Sequence, residues 1–358
     1  MLTGVISLAL SEEHSMILKQ DGSVWSTVIT LNSSHIRARA FGKTFRQIIP
    51  NGAIAVAAST GYSMALTHDG SVWVISQNVG AQNVEHEFRD IMRFGKDTFY
   101  FQVVQVIPGA KAVAAGGYHS MVVTEGGKVW VMGWNTYGQL GDGLTTYTNS
   151  FFAAISSGAG VVAVAAGDHH SIVLKQDGSV WAAGRNHHGQ LGDGSVSDRN
   201  RFVKVVSDGA ADVTAGTDHS LVLKQDGSVW ATGWNEYGQL GDGTATDRVN
   251  FVQAISSGAK AISAGRRHSM ILKEDGSVWA TGGNEHGQLG DGSTINSKVY
   301  FEVIFGGAKY VAVGAFHSIM IKEDGSIWAT GLNKNGQFGD TSTISRSSFV
   351  RLPPLKNG

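Results

Sequence analysis

The chain has 358 residues, 42% of them hydrophobic, 16% charged and 48 glycine, the balance of a turn-rich globular protein rather than a disordered or fibrous one. A net charge of -1 without any run of five like charges argues against a nucleic-acid or anionic-membrane partner. Absence of cysteine excludes disulfides, thiolate metal sites and a cysteine nucleophile.

In chain order, the opening MLTGVISLAL lacks a basic n-region and a small-residue cleavage site, so it reads as a first strand rather than a secretion signal. A His-Ser pair at His14 follows it, then Asp21-Gly22 and Trp25. The same grammar returns at Tyr62 with Trp73, His119 with Trp130, His170 with Trp181, His219 with Trp230, His268 with Trp279 and His317 with Trp328. Both series step by 48, 57, 51, 49, 49 and 49 residues, so one supersecondary unit is copied seven times. The repeats run near 2–52, 53–109, 110–158, 159–209, 210–258, 259–307 and 308–355, and the whole chain, 1–358, is expected to be one domain. No apolar stretch approaches the roughly 18 to 20 residues that cross a bilayer. The reading expects a monomeric cytoplasmic protein.

Repeat five shows the pieces: ADVTAG, Thr217-Asp218, HSLVLKQ, Asp226-Gly227, SVWATG, WNEYGQLGDGTATDRVN and FVQAI. Asp-Gly between two alternating apolar runs is a strong hairpin signal and suggests a two-residue type I′ turn. Each unit thus supplies about four short strands, and seven such units predict an all-β, seven-bladed β-propeller. Tryptophan alternates with the serine of the DGS turn, which places one large ring per blade where adjacent sheets meet. Repeat two is about eight residues longer, and Val84, Phe88 and Ile91 recur there at helical spacing among Glu85, Glu87, Arg89, Asp90 and Arg93. A short amphipathic helix is expected, either a partner-contacting projection through Phe88, Arg89 and Arg93 or a cap.

These residues resemble the RCC1-type (regulator of chromosome condensation) repeat: HS before an apolar strand, DGSVW, and GxNxxGQLGDG. The last motif occurs at Gly138–Gly143, Gly189–Gly194, Gly238–Gly243, Gly287–Gly292 and, as a variant, Gly336–Thr341, and is missing from repeats one and two. The resemblance implies a propeller. It also brings in view the family's guanine-nucleotide exchange factors for small GTPases, its protein inhibitors and a plant ultraviolet photoreceptor. Exchange in the family depends on a wedge-like projection, for which residues 79–100 are the candidate here. The photoreceptor needs tryptophans before the HS pair, where this chain has Glu12, Thr60, Gly117, Asp168, Thr217, Arg266 and Ala315.

The recurring histidines, serines and GQLGDG aspartates are best explained by the fold, because a triad or a metal site needs one distinct set rather than one per blade. GQLGDG lacks the Lys-Ser/Thr of a phosphate loop and opens no helix. His169, His187 and His188 of repeat four offer a three-histidine zinc site, but adjacent histidines point apart, so no metal and no cofactor are expected.

Positions that differ between otherwise similar repeats are free to serve a partner. Two such sets, the pair before each HS and the x positions of GxNxxGQ, flank the DGS hairpin and must emerge at one end of the blade. They carry Tyr118, Trp134, Tyr137, His169, Arg185, His187, His188, Trp234, Tyr237, Arg266, Arg267 and Phe316, rich in the side chains enriched at binding hot spots. The sequence therefore points to a non-enzymatic scaffold that binds a protein partner through this face. Exchange on a small GTPase and glycan stacking on Trp134 and Trp234 are the alternatives.

Overall fold

The computed structural model describes residues 4–27, 44–59, 62–76, 90–94 and 97–354, with side chains described outside 90–104. Seven antiparallel sheets form a ring, each built from one contiguous stretch of chain, and the described residues contain no helix. In blade 5 the four strands, from the channel outward, are Ala210–Ala215, His219–Lys224, Val229–Gly233 and Arg248–Ile255. His219 faces Gly233 and Val222 faces Trp230 across the central pair of strands, and the same register recurs in blades 3, 4, 6 and 7.

The hairpin turn is not type I′. Gly227 N–H donates to Lys224 C=O at 3.0 Å and Lys224 N–H to Ser228 C=O at 2.9 Å, so Gln225 and Asp226 are the central residues of a three-residue loop. Only the glycine takes a positive φ, 75° at Gly227. This is a type I turn closed by a left-handed glycine bulge, selected because the Asp226 carboxylate accepts from Ser228 N–H at 2.9 Å.

Hydrophobic layers lie between blades rather than within them. Ile172, Leu174 and Val180 of blade 4 pack with Ala210, Val213 and Val222 of blade 5, and half-buried Trp230 closes the edge of that layer. Its indole N–H donates to Ser228 Oγ at 3.0 Å and Lys224 Nζ lies 4.6 Å from the ring centroid, an arrangement shared by Trp181, Trp279 and Trp328.

Among the described residues, no blade mixes strands from the two ends of the chain. Blade 1 is Val5–Leu10, Ser15–Lys19, Val24–Ser26 and Arg46–Ile49, and blade 7 is Ala308–Val313, His317–Lys322, Ile327–Gly331 and Arg346–Arg351. A shared apolar layer joins them, with Ile17, Trp25 and Phe45 packed on Ile319, Ile321 and Phe338. A backbone bridge between Thr44 and Asp340 completes the closure, matching the bridges between Asp142 and Arg201, Asp193 and Asn250, Asp242 and Val299, and Asp291 and Ser348.

The expected helix of repeat two is corrected where it falls on described residues. Ile91 and Arg93 belong to a strand, Asp90–Phe94, which pairs with Asp97–Val106 and adds a fifth strand to the edge of blade 2. Val84, Phe88 and Arg89 lie outside the described residues, as does the remainder of the 79–89 segment.

Candidate functional site

The repeated residues build a latch between blades, and the latch explains why they recur. Each buried histidine reaches a serine hydroxyl of the next blade through Nε2: His119 to Ser171 at 2.7 Å, His170 to Ser220 at 3.0 Å, His219 to Ser269, His268 to Ser318 and His317 to Ser15 each at 2.9 Å. In blade 2 the Tyr62 hydroxyl takes the place of imidazole, 2.7 Å from Ser120 Oγ. With His14 on Ser63, seven links run once around the ring. In the five links whose preceding blade carries GQLGDG or its variant, the serine donates to the glutamine carbonyl of that motif, as Ser269 does to Gln239 C=O at 2.9 Å. Because the serine proton is spent there, Nε2 carries the imidazole proton.

The motif loop is tied from within. Buried Asn235 accepts from Leu240 N–H at 3.0 Å and donates to Asp242 Oδ1 at 3.0 Å, while Asp242 Oδ2 takes Arg248 Nε at 2.6 Å. The aspartates thus brace their own turns. Glycines are required where the loop meets the next blade: a Cβ on Gly238 would lie 2.5 Å from the Ser297 carbonyl oxygen.

On this frame the two variable loops of each blade do emerge together. Trp234 N–H donates to Asp218 C=O at 2.8 Å, and equivalent bonds join Trp134 to Tyr118, Arg185 to His169, Gly283 to Arg267 and Leu332 to Phe316. The structure brings the twelve candidate residues onto one end of the ring. Tyr118 stacks on His169 at 4.8 Å, and Tyr137 meets both His169 and His187 edge-on. Arg185 lies 5.5 Å from the Tyr137 ring and 3.5 Å from Asp218. On the other side His188 approaches Trp234, which packs on Tyr237 at 5.3 Å. Arg267 sits among three rings, 4.4 Å from Tyr237, 5.8 Å from Trp234 and 5.9 Å from Phe316, and bonds Glu285 at 3.1 Å. Arg266 covers Phe316 and reaches across the channel mouth to Glu12 at 3.5 Å. Trp134 is 49% exposed and Tyr118 54%.

The three loop histidines do not converge. His169 turns to the tyrosines, His187 to Asp198 at 3.6 Å and His188 to Asp247 of the next blade at 2.8 Å, and the described residues contain no group of three or more potential ligands arranged around a metal. The sequence reading passed over an apolar rim beyond the aromatic cluster: Leu144, Tyr147, Val196, Ile295 and Ile344, each more than half exposed, lie on the loops that follow GDG or its GDT variant. Only Ile295 and Ile344 share a repeat position, which hid the set, although five large apolar side chains in polar loops are a visible signal.

Comparison with known proteins accounts for this framework. The Regulator of chromosome condensation (RCC1) repeat matches residues 126–174, 177–223, 226–272 and 275–321 in one form, and 110–139, 161–190, 210–239, 259–288 and 308–337 in another. The chain belongs to the RCC1-repeat family. Within the propeller the matched residues begin at blade 3, as expected from the loss of GQLGDG in blades 1 and 2. Curated relatives include the Probable E3 ubiquitin-protein ligase HERC4 of Rattus norvegicus, 40% identical over 89 residues, which is 24% of this chain and 8% of that protein. The Ultraviolet-B receptor UVR8 of Arabidopsis thaliana is 32% identical over 127 residues, 32% of this chain and 29% of the receptor. The chain therefore spans a small part of the curated relatives it matches. Among solved structures, human WBSCR16 shares the fold with a TM-score of 0.75 at 20% identity, covering 91% of this chain and 89% of that one. Yeast RCC1 (Prp20), crystallised with Kap60, gives 0.59 at 18% identity, covering 99% and 75%. No helix among the described residues of the RCC1-repeat propeller is long and apolar enough to cross a membrane.

Proposed function

We propose that this RCC1-repeat propeller is a non-enzymatic scaffold that binds a protein partner through the end of the ring carrying the variable loops. The observation that carries the reading is the contiguous aromatic and arginine cluster from Tyr118 to Phe316, fixed by loop-to-loop backbone bonds. Preorganised tyrosine, tryptophan and arginine lose little conformational freedom on binding, which is what a docking face requires. The buried histidines and serines are committed to the latch.

Affinity capture with wild type beside a variant carrying Arg266→Ala, Arg267→Ala and Trp234→Ala, at matched circular dichroism, tests this reading. A protein retained by wild type and lost by the variant supports the face; equal capture by both removes it. A second reading, nucleotide exchange on a small GTPase, is favoured by the added strand Asp90–Phe94 at the edge of blade 2, within the segment proposed as a wedge. The related yeast Prp20p is described as binding Gsp1p and histones. Accelerated nucleotide release from a GTPase would promote that reading. Glycan stacking rests on Trp134 alone, since Trp234 is engaged by Tyr237, His188 and Arg267.

A further inference from the structure

At the centre of the same face the seven inner strands end around a channel mouth of about 110 Å³, lined by Glu12, Gly117, Asp168, Thr217 and Ala315 among others. That volume is well below the several hundred cubic ångströms of small-molecule sites and suits the end of one long side chain. Charge is uneven there. The residue pairs before HS contribute four carboxylates, Glu12, Glu13, Asp168 and Asp218, against two guanidinium groups, Arg266 and Arg267.

The basic groups are already engaged. Arg266 pairs with Glu12, Arg267 with Glu285, and Arg185 of the neighbouring loop with Asp218, which also accepts from Gln190 Nε2 at 3.0 Å. Asp168 is left over. Among the described residues no basic nitrogen lies within 4 Å of its carboxylate and no hydrogen-bond donor reaches it. Gly117 makes room beside it, since a Cβ there would come 2.9 Å from Asp168 Oδ1. Burial and the Asp218 charge push its pKa up to about 6, against the opposing pull of Arg266 and Arg185, which marks an ionised group short of a counter-charge.

We propose that the mouth receives a lysine or arginine side chain projected by the protein partner, with Asp168 as its counter-ion; the proposal rests on the scaffold reading of this face. A half-buried carboxylate without a partner is under-solvated, and a cation entering the confined mouth would pair with it where solvent screening is weakened.

The test uses acetyl-Gly-Lys-Gly amide and its norleucine counterpart, titrated at pH 7.5 into the full chain with the Asp carboxyl carbons labelled for NMR. The lysine peptide is expected to move the Asp168 signal and to bind about tenfold more weakly to the isosteric Asp168→Asn variant. Arg266→Gln, which removes the competing cation, should tighten it. Equal binding of the two peptides, an unmoved Asp168 signal, or no change in Asp168→Asn overturns the proposal. If capture of a partner is lost in the Trp234 variant and retained in Asp168→Asn, the scaffold reading stands and this inference falls.

Discussion

His317 in the last blade hydrogen-bonds Ser15 in the first at 2.9 Å, across 302 positions of sequence, and Ser15 in turn donates to the Gln337 carbonyl at 2.8 Å. The bond that closes the ring is thus the same bond that joins adjacent blades. A propeller whose sheets are each contiguous has no strand exchange to hold its ends, so side-chain links, the backbone bridge between Thr44 and Asp340 and the apolar layer around Phe45 and Phe338 carry that task.

The latch should be measurable one link at a time. Ser269→Ala leaves the His219 N–H buried without an acceptor and removes the bond to Gln239, and is expected to cost about 2 to 3 kcal/mol. His219→Ala adds a cavity and should cost about 3 to 4 kcal/mol. In a double-mutant cycle by urea unfolding, a coupling of about 1 to 2 kcal/mol is expected; additive losses would show that the pair does not interact.

Acid should open the ring steeply. Burial holds His14 and His219 at a pKa of about 4, and His119, His170, His268 and His317 at about 3, against about 6.5 in an unfolded chain. Neighbouring imidazoles lower the last four further. Each folded pKa lies below its unfolded value, so the unfolded state binds more protons. The stability is fully present above about pH 6.5 and is lost as pH falls towards the folded values. Each histidine contributes a slope of up to about 1.4 kcal/mol per pH unit. Stability measured between pH 7 and 4.5 should fall with the uptake of several protons; uptake of fewer than two would show that the imidazoles are charged in the fold.

Trp230→Ala is expected to cost about 3 kcal/mol, at the lower end of the range for a fully enclosed ring, because the indole is half-buried and partly covered by Lys224. A loss under about 1 kcal/mol in chemical unfolding would place the ring in solvent instead.

Period, blade number and the common end of the two variable loops were legible because each depends on spacing alone. Turn type was not, because it is decided by the Asp226 carboxylate capturing Ser228 N–H rather than by the Asp-Gly pair itself. The histidine partner was hidden for a related reason: Ser269 stands 50 residues from His219, one repeat away, where no local pattern points. In repeat two, the helical spacing that runs to Ile91 gives way at that residue to an available sheet edge, on which Ile91 pairs with Tyr100. The aromatic and arginine cluster could be read from variation among repeats. The isolation of Asp168 could not, since it follows from Arg266 reaching across the mouth to Glu12.

Uneven latching should show as uneven stability. Blades 1 and 2 lack GQLGDG, and among the described residues Ser63 and Ser120 have no glutamine carbonyl behind them and no Asp-centred bridge leads from either blade to the next. Stability in a repeat array is a sum of unit and interface contributions, so the junctions around blade 2 should open first. Native-state hydrogen exchange is expected to give Ser63–Thr67 protection below that of His219–Lys224 and His268–Lys273, although all three are second strands with the same pairing. Equal protection would mean that the whole ring opens as one unit.

Blade 7 carries a strained copy of the motif. Thr341 occupies the last position of GQFGDT with φ at 72°, where the equivalent residues Gly143, Gly194, Gly243 and Gly292 also have positive φ. A β-branched residue in the left-handed region costs about 1 to 2 kcal/mol, whereas glycine adopts it freely and gives up about 0.5 to 1 kcal/mol in unfolded-state entropy. Thr341→Gly should therefore stabilise the chain by about 0.5 to 1 kcal/mol. The gain should appear as a higher urea midpoint at an unchanged slope, because neither the buried surface nor the Asp340 bridge to Thr44 is altered. A lower midpoint would mean that the threonine side chain makes a contact worth more than its backbone strain.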